Sequence, residues 1–149
     1  MIKLSDLISV DRIKILTSHD KNEVLNEICQ VLSTAVPIED PEELKKAIFD
    51  RENIISTSIG LGIAIPHVRL KSVTGMTIAI GIAKEGIDYK AFDDHPVNII
   101  IMIAAPEGSH REYLSVLAKI ALLLKNKSLR VSILNADNPQ EIFDMLKRY

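Results

Sequence analysis

Near neutral pH, histidine is the side chain best placed to take up or give away a proton, and its ring nitrogens are also nucleophiles and metal ligands. The chain has four, His19, His67, His95 and His110, and the neighbours of His67 constrain it most. It closes the run Gly60-Leu61-Gly62-Ile63-Ala64-Ile65-Pro66-His67. The two glycines allow backbone to come close to a ligand, and Pro66 fixes the chain just before the imidazole. A ring held in this way is a ligand, a base or a nucleophile, or it is packed against a backbone carbonyl.

Two further residues extend the pattern. Arg51 is a planar, permanently charged fork suited to phosphoryl oxygens, or else a solvated arginine at a helix end. His110 follows Ser109 at the start of a helical stretch, where free N–H groups and the positive end of the helix dipole favour an anion and disfavour imidazolium. Together the three suggest a phosphohistidine site. With an ordinary pKa of about 6.5, imidazole is largely neutral at pH 7. One nitrogen then attacks phosphorus in line while the other needs a hydrogen-bond partner, and the charge on the transferring oxygens needs cations or N–H donors. Such a carrier requires no cofactor and no metal.

Other chemistries fit less well. Gly60-x-Gly62 lacks the third glycine of a dinucleotide fingerprint, and neither a P-loop nor a Gly-x-Ser-x-Gly elbow is present. No two histidines are spaced as helical metal ligands, and Asp93-Asp94-His95-Pro96 reads as a turn. A metal-dependent hydrolase built on His67, His110 and an aspartate is the remaining enzymatic alternative.

The elements that must position these residues can be read from the pattern. Ile13–Leu16 reads as a strand. Asp20 and Glu23 form a capping box before a helix over 21–33, with Val24, Leu25, Ile28 and Leu32 on its apolar face and Cys29 beside them in the core. Asp40-Pro41 opens a second helix ending near Asn53, with Leu44, Ala47 and Ile48 buried. Residues 54–62 read as a loop, and Ile63–Ile65 as a short strand aimed at His67. Met76–Ala83 and Val97–Ala104 are strands, the second apolar enough to lie at the centre of a sheet. Ser109 and Glu112 form a second capping box, opening a helix whose stripe is Leu114, Leu117, Ala118, Ala121 and Leu124. Leu129–Leu134 is a last strand or a broken helical turn, and Asn138-Pro139 starts a final helix to about Lys147. The expected architecture is one α/β domain over residues 1–149, a mixed sheet sandwiched between helical layers.

Composition agrees. The 149 residues are 47% hydrophobic and 26% charged with a net charge of −2, the balance of a globular protein. Scattered cations, no tryptophan and few aromatics argue against nucleic-acid binding. No apolar run is long enough to span a bilayer, so no direct membrane insertion is expected. The charged N-terminus and the single cysteine point to the cytoplasm.

Arg51-Glu52, Ser56-Thr57, the Gly60–His67 run, Pro96-Val97, Ala105-Pro106-Glu107 and His110 strongly resemble the enzyme IIA domain of the bacterial sugar phosphotransferase system, of the fructose–mannitol and nitrogen-regulatory type. The resemblance covers nearly the whole chain. It implies a mixed sheet between helical layers and phosphorylation of His67 on Nε2, assisted by Arg51 and His110, with Thr57 and Ser109 supporting the phosphate. The implied donor is the phosphocarrier protein HPr or its nitrogen-branch relative. The implied acceptor is a cysteine of enzyme IIB or, for a stand-alone regulator, the reading is control of partner proteins by phosphorylation state. Ser58 and Val68 depart from the residues common in that family. A shallow site is expected, with Leu61, Ile63 and Val68 forming an apolar docking surface around His67.

Overall fold

A computed structural model describes residues 2–149. Its centre is the strand β6 (Val97–Pro106), paired antiparallel to β5 (Thr77–Ile87) on one side. On the other side β6 runs parallel first to β3 (Ile63–Ala64) and then to β4 (His67–Leu70), which follow each other along its edge. β1 (Ile13–Ile15) adds parallel to β5, and β2 (Ser58–Gly60) adds antiparallel to β3. The result is a mixed six-stranded sheet in the order β1-β5-β6-β3-β2, with β4 also on β6.

Alternation along β5 and β6 builds two cores. Ile78, Ile80, Ile82, Ile99, Ile101 and Ile103 face one way, toward α3 (His110–Leu123), α4 (Lys127–Asn135) and α5 (Pro139–Leu146). Ala79, Ala83, Ile100, Met102 and Ala104 face the other way, toward α1 (Lys21–Leu32) and α2 (Pro41–Ile54). The sheet is thus covered on both faces, as the sequence predicts. Gly81 shows how closely α1 sits: a Cβ there would lie 2.6 Å from Ile28 Cδ1. Cys29 is in this second core, and burial pushes its thiol pKa up to about 12.

The helix caps follow the side chains that announce them. Asp20 accepts from the Asn22 and Glu23 amides, Asp40 from Glu43 and Asn138 from Glu141. Four expectations are corrected. Residues 54–62 are not all loop, because Ser58–Gly60 pairs with β3. The strand before His67 stops at Ala64, and His67 begins a strand of its own. Leu129–Leu134 lies within helix α4, capped by Asn126, whose side chain accepts from the Leu129 amide at 3.1 Å. The buried residues of α3 are Tyr113, Val116 and Ile120; of the expected stripe, Leu124 at the C-cap is buried and Leu117 packs against the core, while Leu114 is 50% exposed and Ala118 faces solvent. Two overlapping apolar series run along that helix, and the β-branched and aromatic one packs on the sheet.

Candidate phosphoryl-transfer site

Among the described residues β4 pairs only with β6, and α2 from one layer and α3 from the other border its free edge. Between them lies an open recess of about 680 Å³ lined by Arg51, His67, Arg69, His110 and Tyr113, with Ala47, Val68, Leu70, Glu107, Leu114 and Leu117 completing its wall. Parallel strands that end at a turn into a helix commonly place a site there; here β6 passes through Glu107–Ser109 into α3.

His67 is half-buried. Its Nδ1 lies 2.5 Å from the Ile65 carbonyl oxygen. A carbonyl can only accept, so Nδ1 carries the proton and Nε2 keeps its lone pair. The Tyr113 ring stands 5.7 Å from the imidazole at a 54° tilt. Burial holds the imidazole pKa below its ordinary 6.5; the bond to Ile65 opposes this, Arg51 lowers it further and Glu52 raises it. The ring is therefore neutral at pH 7.

Arg51, in the last turn of α2, spends one Nη1 hydrogen on the Ile55 carbonyl at 3.1 Å, leaving other donors of its fork free for an anion. His110 is exposed at the first position of α3. Ser109 does not cap that helix: its hydroxyl donates to the Pro106 carbonyl at 2.7 Å, and the expected box with Glu112 is absent. The first-turn amides of α3 thus lack a side-chain cap and give the recess an electropositive wall.

Other expectations are redistributed. Thr57 is buried, and its hydroxyl donates to Glu52 Oε2 at 2.6 Å, so it is engaged internally and does not face a phosphate. Ile63 is 1% exposed and Val68 8%; both belong to the core, not to a docking surface. Val68 touches the recess only as part of its wall. Leu61 is 57% exposed but sits at the tip of the β2–β3 hairpin, with φ of 59° between Gly60 at 88° and Gly62 at 75°. The glycines therefore make this turn, where the Gly62 carbonyl accepts from the Asn98 and Ile99 amides; they do not cradle a ligand. His67 pairs with Ile103, about 13 Å further along the sheet at strand rise. The apolar rim nearest the imidazole is instead Ala47, Leu114 and Leu117.

Two site residues escape the sequence reading, although spacing could reveal them. Arg69 is two residues beyond His67 on one strand, and so on the same face. Its guanidinium carbon lies 5.4 Å from the Tyr113 ring centre. Tyr113 is three residues beyond His110 on one helix, again on the same side; burial pushes its hydroxyl pKa up to about 12, against the pull of Arg69 and Arg51. The metal alternative finds no donor set: among the described residues no three His, Cys, Asp or Glu side chains gather as a metal site needs.

Residues 6–149 match the family model described as "Phosphoenolpyruvate-dependent sugar phosphotransferase system, EIIA 2". A fructose-specific EIIABC component of Bacillus subtilis (strain 168) is 36% identical over 149 residues, covering 99% of this chain and 24% of that protein. This chain therefore spans about a quarter of that relative's length. The crystal structure of nitrogen regulatory protein IIA-Ntr from Neisseria meningitidis superimposes with a TM-score of 0.88 at 27% identity, covering 96% of this chain and 98% of that one. A complex of enzyme IIA mannitol and phosphorylated enzyme IIB mannitol from Escherichia coli shares the fold, with a TM-score of 0.81 at 20% identity over 95% and 98% of the two chains. The fold and the match along the sequence place the chain in a phosphotransferase class. It belongs to the EIIA 2 family of the phosphoenolpyruvate-dependent sugar phosphotransferase system.

Proposed function

We propose that this protein is a phosphohistidine carrier that accepts a phosphoryl group on Nε2 of His67 and passes it to a cysteine of an enzyme IIB. The observation that most supports this reading is the bond from His67 Nδ1–H to the Ile65 carbonyl, which leaves Nε2 unprotonated in a recess shared with Arg51 and His110. The Nε2 lone pair attacks phosphorus on a phosphohistidine of HPr or its nitrogen-branch relative. The donor's N–P bond breaks, its electron pair returns to the donor nitrogen, and a new N–P bond forms on His67. Nδ1 keeps its proton throughout, so the phosphorylated ring stays hydrogen-bonded. A thiolate of the acceptor then attacks the same phosphorus, forming S–P as the His67 N–P bond breaks. Arg51, His110 and the first-turn amides of α3 offset charge on the transferring oxygens. The open recess suits a group that two partners must reach in turn, and Leu114 and Leu117 form the apolar rim they would cover. This chemistry is that of a cytoplasmic component.

A second reading is a nitrogen-regulatory protein that controls partners by its phosphorylation state, favoured by the close superposition on IIA-Ntr. A phosphate brings about −1.5 to −2 charges, enough to reverse a docking preference. Both readings share the chemistry at His67. Incubation with phosphoenolpyruvate, enzyme I and HPr should give an acid-labile, base-stable phosphoprotein, and His67→Ala should abolish it. Undiminished labelling of that variant would place the phosphate elsewhere. Transfer onward to purified enzyme IIB separates the carrier from the regulator.

A further inference from the structure

A buried polar chain runs from α1 to the imidazole. Lys21 Nζ lies 3.0 Å from Glu52 Oε1, with the two side chains 15% and 3% exposed. Glu52 accepts from the Thr57 amide at 2.9 Å and from the Thr57 hydroxyl at 2.6 Å. Because that hydroxyl donates to Glu52, it accepts from the Tyr89 hydroxyl at 3.1 Å; Lys21 also lies 4.4 Å from the centre of the Tyr89 ring. The Thr57 carbonyl in turn accepts from the Ile65 amide at 3.0 Å, and the Ile65 carbonyl accepts from His67 Nδ1.

Every link is short, and most are buried. A buried carboxylate with one cation is costly unless its other lone pairs are used, and Thr57 uses two of them. The adjacent Pro66 adds no amide of its own and limits how the backbone can turn. The Thr57 bond fixes the Ala64–Ile65 peptide and Pro66 confines Ile65 to extended backbone, so together they limit the direction of the Ile65 carbonyl that accepts Nδ1–H. We propose that Glu52 and Thr57 are positioning residues for His67: they anchor the backbone entering Ile65 so that, with Pro66 beyond it, the Ile65 carbonyl holds the ring in the Nδ1–H tautomer with Nε2 facing the recess. Neither touches the transferring group. The proposal rests on reading His67 as the phosphoryl acceptor, but its structural half can be measured without phosphate.

The test uses the full chain, with Thr57→Val and Thr57→Ser. Imidazole ¹⁵N spectra of unphosphorylated protein report the tautomer directly. The native chain and Thr57→Ser should show His67 as the Nδ1–H form, and Thr57→Val should show a mixture. With phosphorylated HPr as donor, Thr57→Val should accept phosphate roughly tenfold to a hundredfold more slowly, the scale of a small misplacement of a reacting group. The donor KM should be unchanged, and Thr57→Ser should restore the rate. If Thr57→Val does not fold, Tyr89→Phe is the milder variant, and the tautomer balance should move the same way by less. A folded Thr57→Val with the native tautomer, or with a shifted tautomer and a native rate, would overturn the proposal; so would a native balance in Tyr89→Phe. A native chain that takes no phosphate from HPr would instead defeat the carrier reading, while the spectra would still decide the positioning role.

Discussion

At the scale of single residues, one imidazole carries the account, and its environment makes it neutral. Burial outweighs the opposing bond to Ile65, so the His67 pKa lies below 6.5. In an NMR pH titration the ring should remain neutral through the ordinary imidazole range and take its proton only at lower pH; a midpoint at or above 6.5 would contradict this. The same shift has a sign for stability. Between 6.5 and the lower folded value the unfolded chain holds the extra proton, so this residue's contribution to stability falls as pH drops through that window and is complete above it. His67, Arg51 and His110 were legible by type and spacing because their chemistry is uncommon and their neighbours are constrained. Thr57 was legible as a site residue only in outline. Its engagement with Glu52 depends on the path of residues 54–58, which nothing in a linear pattern reveals.

At the scale of elements, the capped helices were the most legible, because Asp20, Asp40 and Asn138 each satisfy first-turn amides whatever lies around them. Asn126 does the same for α4, and was the available signal for the helix read as a possible strand. The phase of α3 was not legible, since leucines recur on several of its sides and only contact with the sheet selects Tyr113, Val116, Ile120 and Leu124. The two-residue strand β3 and the start of β4 were blurred for a similar reason, both being set by pairing with β6. Packing between elements gives a separate prediction. Gly81→Ala would press its methyl against Ile28 and Leu16, so it should destabilise the fold by about 1–3 kcal/mol. A lowered denaturation midpoint checks it; an unchanged midpoint would mean that α1 can move away from β5.

At the scale of the whole molecule, the sheet edge at β4 opens the recess that holds His67. Two cores lie on opposite faces of β5 and β6, and beside β4 helices from both layers border one open recess. Among the described residues no helix is long and apolar enough to cross a membrane. The mixed sheet was legible because β6 is apolar on both faces and helical segments occur on either side of it in the chain. The apolar rim of the recess was not, because it depends on which apolar residues remain uncovered after folding: Ile63 and Val68 are taken into the core, while Leu114 and Leu117 border the recess. The most direct test of the central claim is heteronuclear NMR of the intact protein after phosphorylation by HPr. The phosphate should appear on Nε2 of His67, with Nδ1 still protonated toward Ile65. Phosphate on Nδ1, or on any other residue, would contradict it.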